Sequence, residues 1–272
     1  MLAKRLIVTI ILLPIGMYLI HLGGWPFSAF VALILGLASW EYVGLLRAGG
    51  HQPAGALVVG GGLLIILGRV IDGFTSAPWI LSLLLGASMA YHLLAYERGR
   101  EHAGTDFATT LTGALYAGWL GAYLISLRQL PDGKWWLLVV LTAVWLADSG
   151  AFFMGSKFGH RKLSPRLSPK KTWEGYLSGV VAGALGGALF AALWRIGAGP
   201  ESAITAWKGA LLGFVLAVVT PLGDLGESML KRQVGMKDSG TILPGHGGAL
   251  DRIDSWLWAA PIGYYAILWF FL

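Results

Sequence analysis

"KDSGTILPGHGGALDRID", Lys237–Asp254, lies between two apolar runs, one ending near residue 223 and one continuing from Ser255 to Leu272. It carries three aspartates, a lysine, an arginine, a histidine and four glycines. The Pro-Gly-His-Gly-Gly portion cannot be regular helix or strand, and the charges cannot enter hydrocarbon without partners. The segment therefore reads as a polar loop joining two membrane helices. The rest of the chain agrees: of 272 residues, 56% are hydrophobic and 12% charged, and the mean hydropathy is +0.67. A soluble domain carries about 25% charged residues.

Apolar runs long enough to cross about 30 Å of hydrocarbon as helices fall at roughly 6–22, 25–46, 54–71, 78–96, 108–127, 135–155, 174–194, 206–223 and 255–272. The expected fold class is all-α, a polytopic integral membrane protein with about nine transmembrane helices. The first run follows Lys4 and Arg5 as a signal peptide would, but no small-residue cleavage site follows it, so it reads as a retained anchor. Glycine patches such as "VVGGGLL" and "GVVAGALGGAL" let helices approach closely where lipid gives no hydrophobic drive to associate.

With an odd number of spans the termini lie on opposite sides, and the Lys/Arg bias selects the orientation. A cytoplasmic N-terminus places 15 of the basic residues inside and 5 outside (Arg69, Arg128, Lys134, Arg195, Lys208), with the C-terminus on the opposite side. The net charge of +6 is thus mostly a topological signal, which argues against nucleic acid as a partner. Residues 1–130 have short loops and read as a packing and lipid-facing scaffold. Residues 131–272 read as the catalytic region, with cytoplasmic loops 156–173 and 224–254. The absence of cysteine excludes disulfides and thiolate metal sites, which leaves hard cations held by oxygen or imidazole.

In "TPLGDLGESMLKR", residues 220–232, a helix continuing past Pro221 puts Asp224, Ser228 and Lys231 on one face, with Glu227 and Arg232 beside them. Glycines 247 and 248 allow backbone amides to approach an anion. Asp251 and Asp254 lie one turn apart at the start of the last span; Asp251 reads as a metal ligand, while Asp254 is open between function and helix capping. His246 is equally open between a loop residue and acid-base or ligand chemistry. In "LSPKKTWEG", Ser168 and Pro169 look like the N-cap and first position of a helix. That would set Lys170 and Lys171 in its first turn, unfavourable unless an anion is bound there. Asp148, inside the sixth run, is costly at that depth and functional by default. Glu41, in "SWEYVGLLR", reads as structural.

The segment "SMLKRQVGMKDSGTILPGHGGALDRID", Ser228–Asp254, resembles the signature of the phosphatidate cytidylyltransferases, also called CDP-diacylglycerol synthases. Ser-x-x-Lys-Arg, Lys-Asp, His-Gly-Gly and Asp-Arg-x-Asp are all present, and "ADSGAFFMGSKFG" and "LSPKKTWEG" are similar to the same family. The likeness is strong over about residues 140–254. It implies transfer of a cytidylyl group from CTP to phosphatidate at the cytoplasmic face of a bacterial inner membrane by a homodimer. It also implies Asp224 and Asp251 as ligands of Mg2+, with a second cation compatible, and Lys231 as a third catalytic group. Lys231, Arg232, Lys237, Arg252, Lys170 and Lys171 would clamp phosphates. Ser228, Thr172, Gly247 and Gly248 would supply neutral donors, and Asp148, Asp238, His246 and Asp254 would stand near the substrate. Two rivals remain: a CTP-dependent lipid-alcohol kinase, which would release CDP, and an ion-coupled transporter using Asp148 and Asp224. No inverted repeat supports the transporter.

Overall fold

The computed structural model describes residues 13–240 and 247–272. Among these, the chain is a succession of apolar helices with one small hairpin, in the order expected from the hydrophobic runs. They are α1 (Leu13–Leu22), α2 (Gly24–Ala48), α3 (Gly55–Asp72), α4 (Ala77–Glu97), α5 (Ala103–Gly113), a π-helical turn (Ala114–Trp119) and α6 (Leu120–Gln129). Then follow α7 (Gly133–Phe158), β1 (Lys162–Ser164), β2 (Ser168–Thr172), α8 (Trp173–Ala198), α9 (Ala206–Val219), α10 (Pro221–Gln233) and α11 (Leu250–Phe270). Among the described residues seven helices are long and apolar enough to cross a membrane, counting α5 to α6 and α9 to α10 each as one. The first expected run starts outside the described residues, and its described part is α1. The ninth is α11, whose first turns carry Asp251, Arg252 and Asp254.

Packing divides the chain into two units, residues 1–126 with 230–253 and residues 127–229 with 254–272. In the first, Leu35, Ala38 and Tyr42 of α2 are buried, as are Val58 and Ile65 of α3 and Ala114 and Ala117 of the π turn. The α3 and π-turn backbones nearly touch: a Cβ on Gly118 would lie 2.5 Å from Gly62 Cα. A buried polar network joins two loops to α5. Asp106, fully buried, accepts from the Gln52 amide at 2.7 Å and Arg100 Nε at 2.6 Å. Thr110 Oγ1 accepts the Ala54 amide at 2.9 Å and lies 2.9 Å from His92 Nε2. Buried polar groups need such partners, and here they tie the α2–α3 and α4–α5 connections to one helix. Arg69, also buried, lies 3.5 Å from the Phe74 ring centroid and donates to Ser126 Oγ at 3.0 Å. The ring face stabilises the guanidinium in the apolar surroundings.

The second unit is built on α7, α8 and α9, and α8 explains why. Its buried face is Gly175, Gly179, Gly183 and Gly187 at every fourth position. The opposite face exposes Leu177, Val181, Leu185 and Leu189 at the same interval. Small inside and large apolar outside is the reverse of a soluble helix and is what lipid favours. The Gly183 and Gly187 backbones sit against Gly213 and Gly209 of α9, whose added Cβ atoms would collide with the Gly183 and Gly187 carbonyl oxygens. Gly213→Val is therefore expected to lower stability by about 3 kcal/mol, the upper end for overpacking because backbone cannot rotate away. Gly86→Ala, in open space on α4, should not destabilise. Thermal unfolding in detergent micelles measures both.

One expectation is corrected here. Ser168 and Pro169 do not start a helix: Ser168–Thr172 is a strand paired antiparallel with β1, Lys162 opposite Thr172 and Ser164 opposite Ser168. Pro169 biases Ser168 to extended backbone and needs no amide partner in a two-stranded edge. Helix α8 begins at Trp173, with Thr172 Oγ1 accepting the Gly175 amide at 3.2 Å. Glu174 reaches back to the His160 and Arg161 amides at 3.1 and 3.2 Å and closes the hairpin. Lys170 and Lys171 consequently project from a strand, not from a helix N-terminus.

Candidate functional site

Helix α10 runs unbroken to Gln233, so Asp224, Ser228 and Lys231 do share one stripe of it, as the spacing predicts. Within the second unit, Lys171 Nζ lies 2.5 Å from Asp224 Oδ2, with the two side chains 26% and 39% exposed. Ser228 Oγ stands 3.4 Å from Asp224 Oδ1, a long and weak donor contact. Asp148 of α7 is exposed, and Asp254, Asp224 and Lys171 are all close enough to act on it electrostatically. Helices α10 and α11 meet at backbone level, since a Cβ on Gly223 would stand 2.5 Å from the Asp254 carbonyl oxygen. Asp254 lies in the second turn of α11, where its Oδ1 accepts the Ser255 amide at 2.6 Å. It does not occupy the helix cap.

Within the first unit, Lys231 Nζ donates to Asp251 Oδ1 at 2.6 Å, with side chains 11% and 6% exposed. The other oxygen, Oδ2, accepts three donors: the Ser239 amide at 2.9 Å, Ser239 Oγ at 2.9 Å and the Gly248 amide at 2.8 Å. Burial pushes the Asp251 carboxyl up, but the Lys231 ammonium and the Gly248 and Ser239 amides outweigh it and hold the group down at about 2. Asp251 is therefore ionised throughout the physiological range. Gly247 sits at φ +81°, a conformation that favours glycine, with its would-be Cβ 2.7 Å from Asp251 Oδ2. The Gly248 amide, expected to face a substrate anion, is instead taken by Asp251. A carboxylate three residues along at a helix start is the nearer acceptor.

The remaining expected residues are placed as follows. Thr172 is buried as the α8 cap. Lys170, Lys237, Asp238 and Arg252 are exposed, and Arg232 donates to the Met236 carbonyl at 3.1 Å. His246 lies outside the described residues. Two contributors were given no place in the site by local reading. Ser239 is the principal neutral donor to Asp251, and Glu41 of α2 accepts from the Leu250 amide at 2.9 Å, with its Oε2 3.3 Å from Ser239 Oγ. The available signal for Glu41 was an acid inside an apolar run.

Among the described residues no group of three or more His, Cys, Asp or Glu forms a metal cage. The donor chemistry nevertheless suits a hard divalent ion that keeps several waters and takes substrate phosphate oxygens, as Mg2+ does with one or two carboxylates. Asp224 Oδ1 has only the long Ser228 contact, and Asp251 Oδ1 has Lys231. Asp224 thus keeps one oxygen whose contact is weak, and Asp251 Oδ1 is held by the Lys231 ammonium.

The described residues thus form a chain of long apolar helices, compatible with a polytopic membrane protein, with lysine–aspartate pairs beside α10. The chain belongs to the cytidylyltransferase family, whose model matches residues 3–270. It is 37% identical to a phosphatidate cytidylyltransferase of Synechocystis, over 97% of this chain and 96% of that one. It is 38% identical to the protein of the same name from Pseudomonas aeruginosa, over 99% and 97%. A Mycobacterium leprae phosphatidate cytidylyltransferase is 34% identical over 84% and 75%.

Proposed function

We propose that this protein transfers the cytidylyl group of CTP to phosphatidate, giving CDP-diacylglycerol and pyrophosphate for phospholipid synthesis. Membership of the cytidylyltransferase family supports the activity. The observation that carries the site is the pair of lysine-held carboxylates, Asp224 with Lys171 and Asp251 with Lys231.

A phosphate oxygen of phosphatidate attacks the α-phosphorus of CTP, forming one P–O bond as the bond to the β-phosphate oxygen breaks and pyrophosphate departs. Such a transfer is catalysed by positioning and charge neutralisation, with no covalent enzyme intermediate. Asp224 and Asp251 are the residues that would hold Mg2+, which supplies neutralisation of phosphate charge; a second cation is compatible with the same oxygen donors. Lys171 and Lys231 exchange their aspartate partners for phosphate oxygens. Lys170, Arg232, Lys237 and Arg252 add exposed cations for the triphosphate and the lipid phosphate. Asp148, Asp238, His246, Gly247 and Asp254 border the substrates.

The reading includes nine spans with the N-terminus and the loops 156–173 and 224–254 in the cytoplasm of a bacterium, the C-terminus across its inner membrane, and a homodimer. Because the chain has no cysteine, single replacements report cleanly on sidedness. In intact cells Glu201→Cys should react with a membrane-impermeant maleimide and Arg166→Cys should react only after permeabilisation; the opposite pattern inverts the topology. Purified protein given labelled CTP and phosphatidate should yield CDP-lipid and pyrophosphate in equal amounts, dependent on Mg2+. CDP with a phosphorylated lipid alcohol would identify a kinase, and no turnover of either kind would remove the enzymatic reading.

A further inference from the structure

Glu41 stands in the C-terminal third of α2, a 25-residue apolar helix, with 4% of its surface exposed. A carboxylate at such a position costs several kcal/mol unless its oxygens are used. One of them takes a backbone donor. Oε2 accepts the amide of Leu250, the first residue of α11, at 2.9 Å, and lies 3.3 Å from Ser239 Oγ. The Leu250 amide is one of the donors that a helix start leaves without a partner, and a negative group there is favoured by the helix dipole. Glu41 therefore caps α11 from a helix 209 residues away in sequence.

The fit depends on two glycines. A Cβ on Gly240 would stand 2.5 Å from Glu41 Oε1, and one on Gly248 would collide with Oε2 and with Ser239 Oγ. The carboxylate is wedged between the two flanks of the segment that carries the signature. The same Ser239 gives both its amide and its hydroxyl to Asp251 Oδ2 at 2.9 Å. A hydroxyl has a single proton, so the shorter contact to Asp251 takes it, and Glu41 acts by fixing where Ser239 and the α11 start can be.

We propose that Glu41 is a positioning residue for the reaction. By taking the Leu250 amide and packing against Ser239, Gly240 and Gly248, it keeps Asp251 Oδ2 saturated with donors, so that Oδ1, now on Lys231, is the atom presented for exchange with the charged partners of catalysis. This rests on the role given to Asp251 above. It assigns Glu41 no contact with substrate.

The test uses the full-length protein in detergent micelles with CTP and phosphatidate. Glu41→Gln keeps the volume but replaces an acceptor oxygen by an amide donor. Its kcat should fall about 10–100-fold, the range for groups that orient a ligating side chain, with KM for both substrates within about threefold. Ser239→Ala should lose a similar factor. The double variant should be no more than about twofold below the weaker single, because residues acting through one contact are not additive. Hydrogen exchange of amides 239 and 248–251 should quicken about tenfold in Glu41→Gln while the α7–α8 amides stay protected, a local opening. A Glu41→Gln enzyme within about twofold of the parent, additive losses, or a loss that only tracks the fraction unfolded would overturn the proposal. Asp251→Asn separates the two levels. If it is inactive while Glu41→Gln is fully active, only the Glu41 role falls; if it turns over normally, the Asp251 role fails and takes the Glu41 role with it.

Discussion

Asp224→Asn is expected to lower CDP-diacylglycerol formation by about 10³-fold, the scale of removing one preorganised electrostatic contact to a transferring group, while the protein should insert and unfold as the parent does. Asn keeps the shape of the side chain and removes its charge. The structural loss is small because the Lys171 partner is 26% exposed and Asp224 itself 39% exposed. An ion pair that open contributes about 0–1 kcal/mol. Activity and stability therefore separate at this residue, which makes it a cleaner probe than Asp251. Radiolabelled CTP turnover alongside thermal unfolding checks both halves. A folded Asp224→Asn enzyme with near-normal turnover would remove Asp224 from the reaction.

Lys231→Met should be damaging on both counts. The Asp251 side chain is 6% exposed and is ionised down to about pH 2, so deleting the ammonium strands a buried carboxylate. Breaking a buried pair from one side costs about 3–5 kcal/mol, a large part of the stability of any fold. Turnover should fall at least about 100-fold, since the same ammonium is to meet phosphate. Lys231→Met combined with Asp251→Asn removes the stranded charge and should regain most of the lost stability, while turnover stays at the lower level. If the double variant is no more stable than Lys231→Met alone, the pair does not couple as the 2.6 Å contact indicates.

Much of the molecule was legible from local pattern. Within the described residues the apolar runs became helices, and the glycine patch of α8 became its packed face, because both depend on a window no longer than the helix itself. The Asp224, Ser228 and Lys231 stripe needed only that α10 continue to Gln233. The hairpin was misread because strand pairing of Lys162 with Thr172 is not visible in the five residues around Ser168. There the cap chemistry of Ser-Pro competed with that of Thr172.

The sequence by itself determined a chain of apolar helices built for lipid, which follows from composition and period, properties of neighbours, and it carries the motifs that resemble the family to which the chain belongs. Only the tertiary structure decided that Lys171 meets Asp224 from a strand, that Gly248 serves Asp251, and that Glu41 caps α11. Each of these joins residues according to how close packing brings helices and loops together, and no local preference of Glu41 distinguishes the amide of Leu250 from any other.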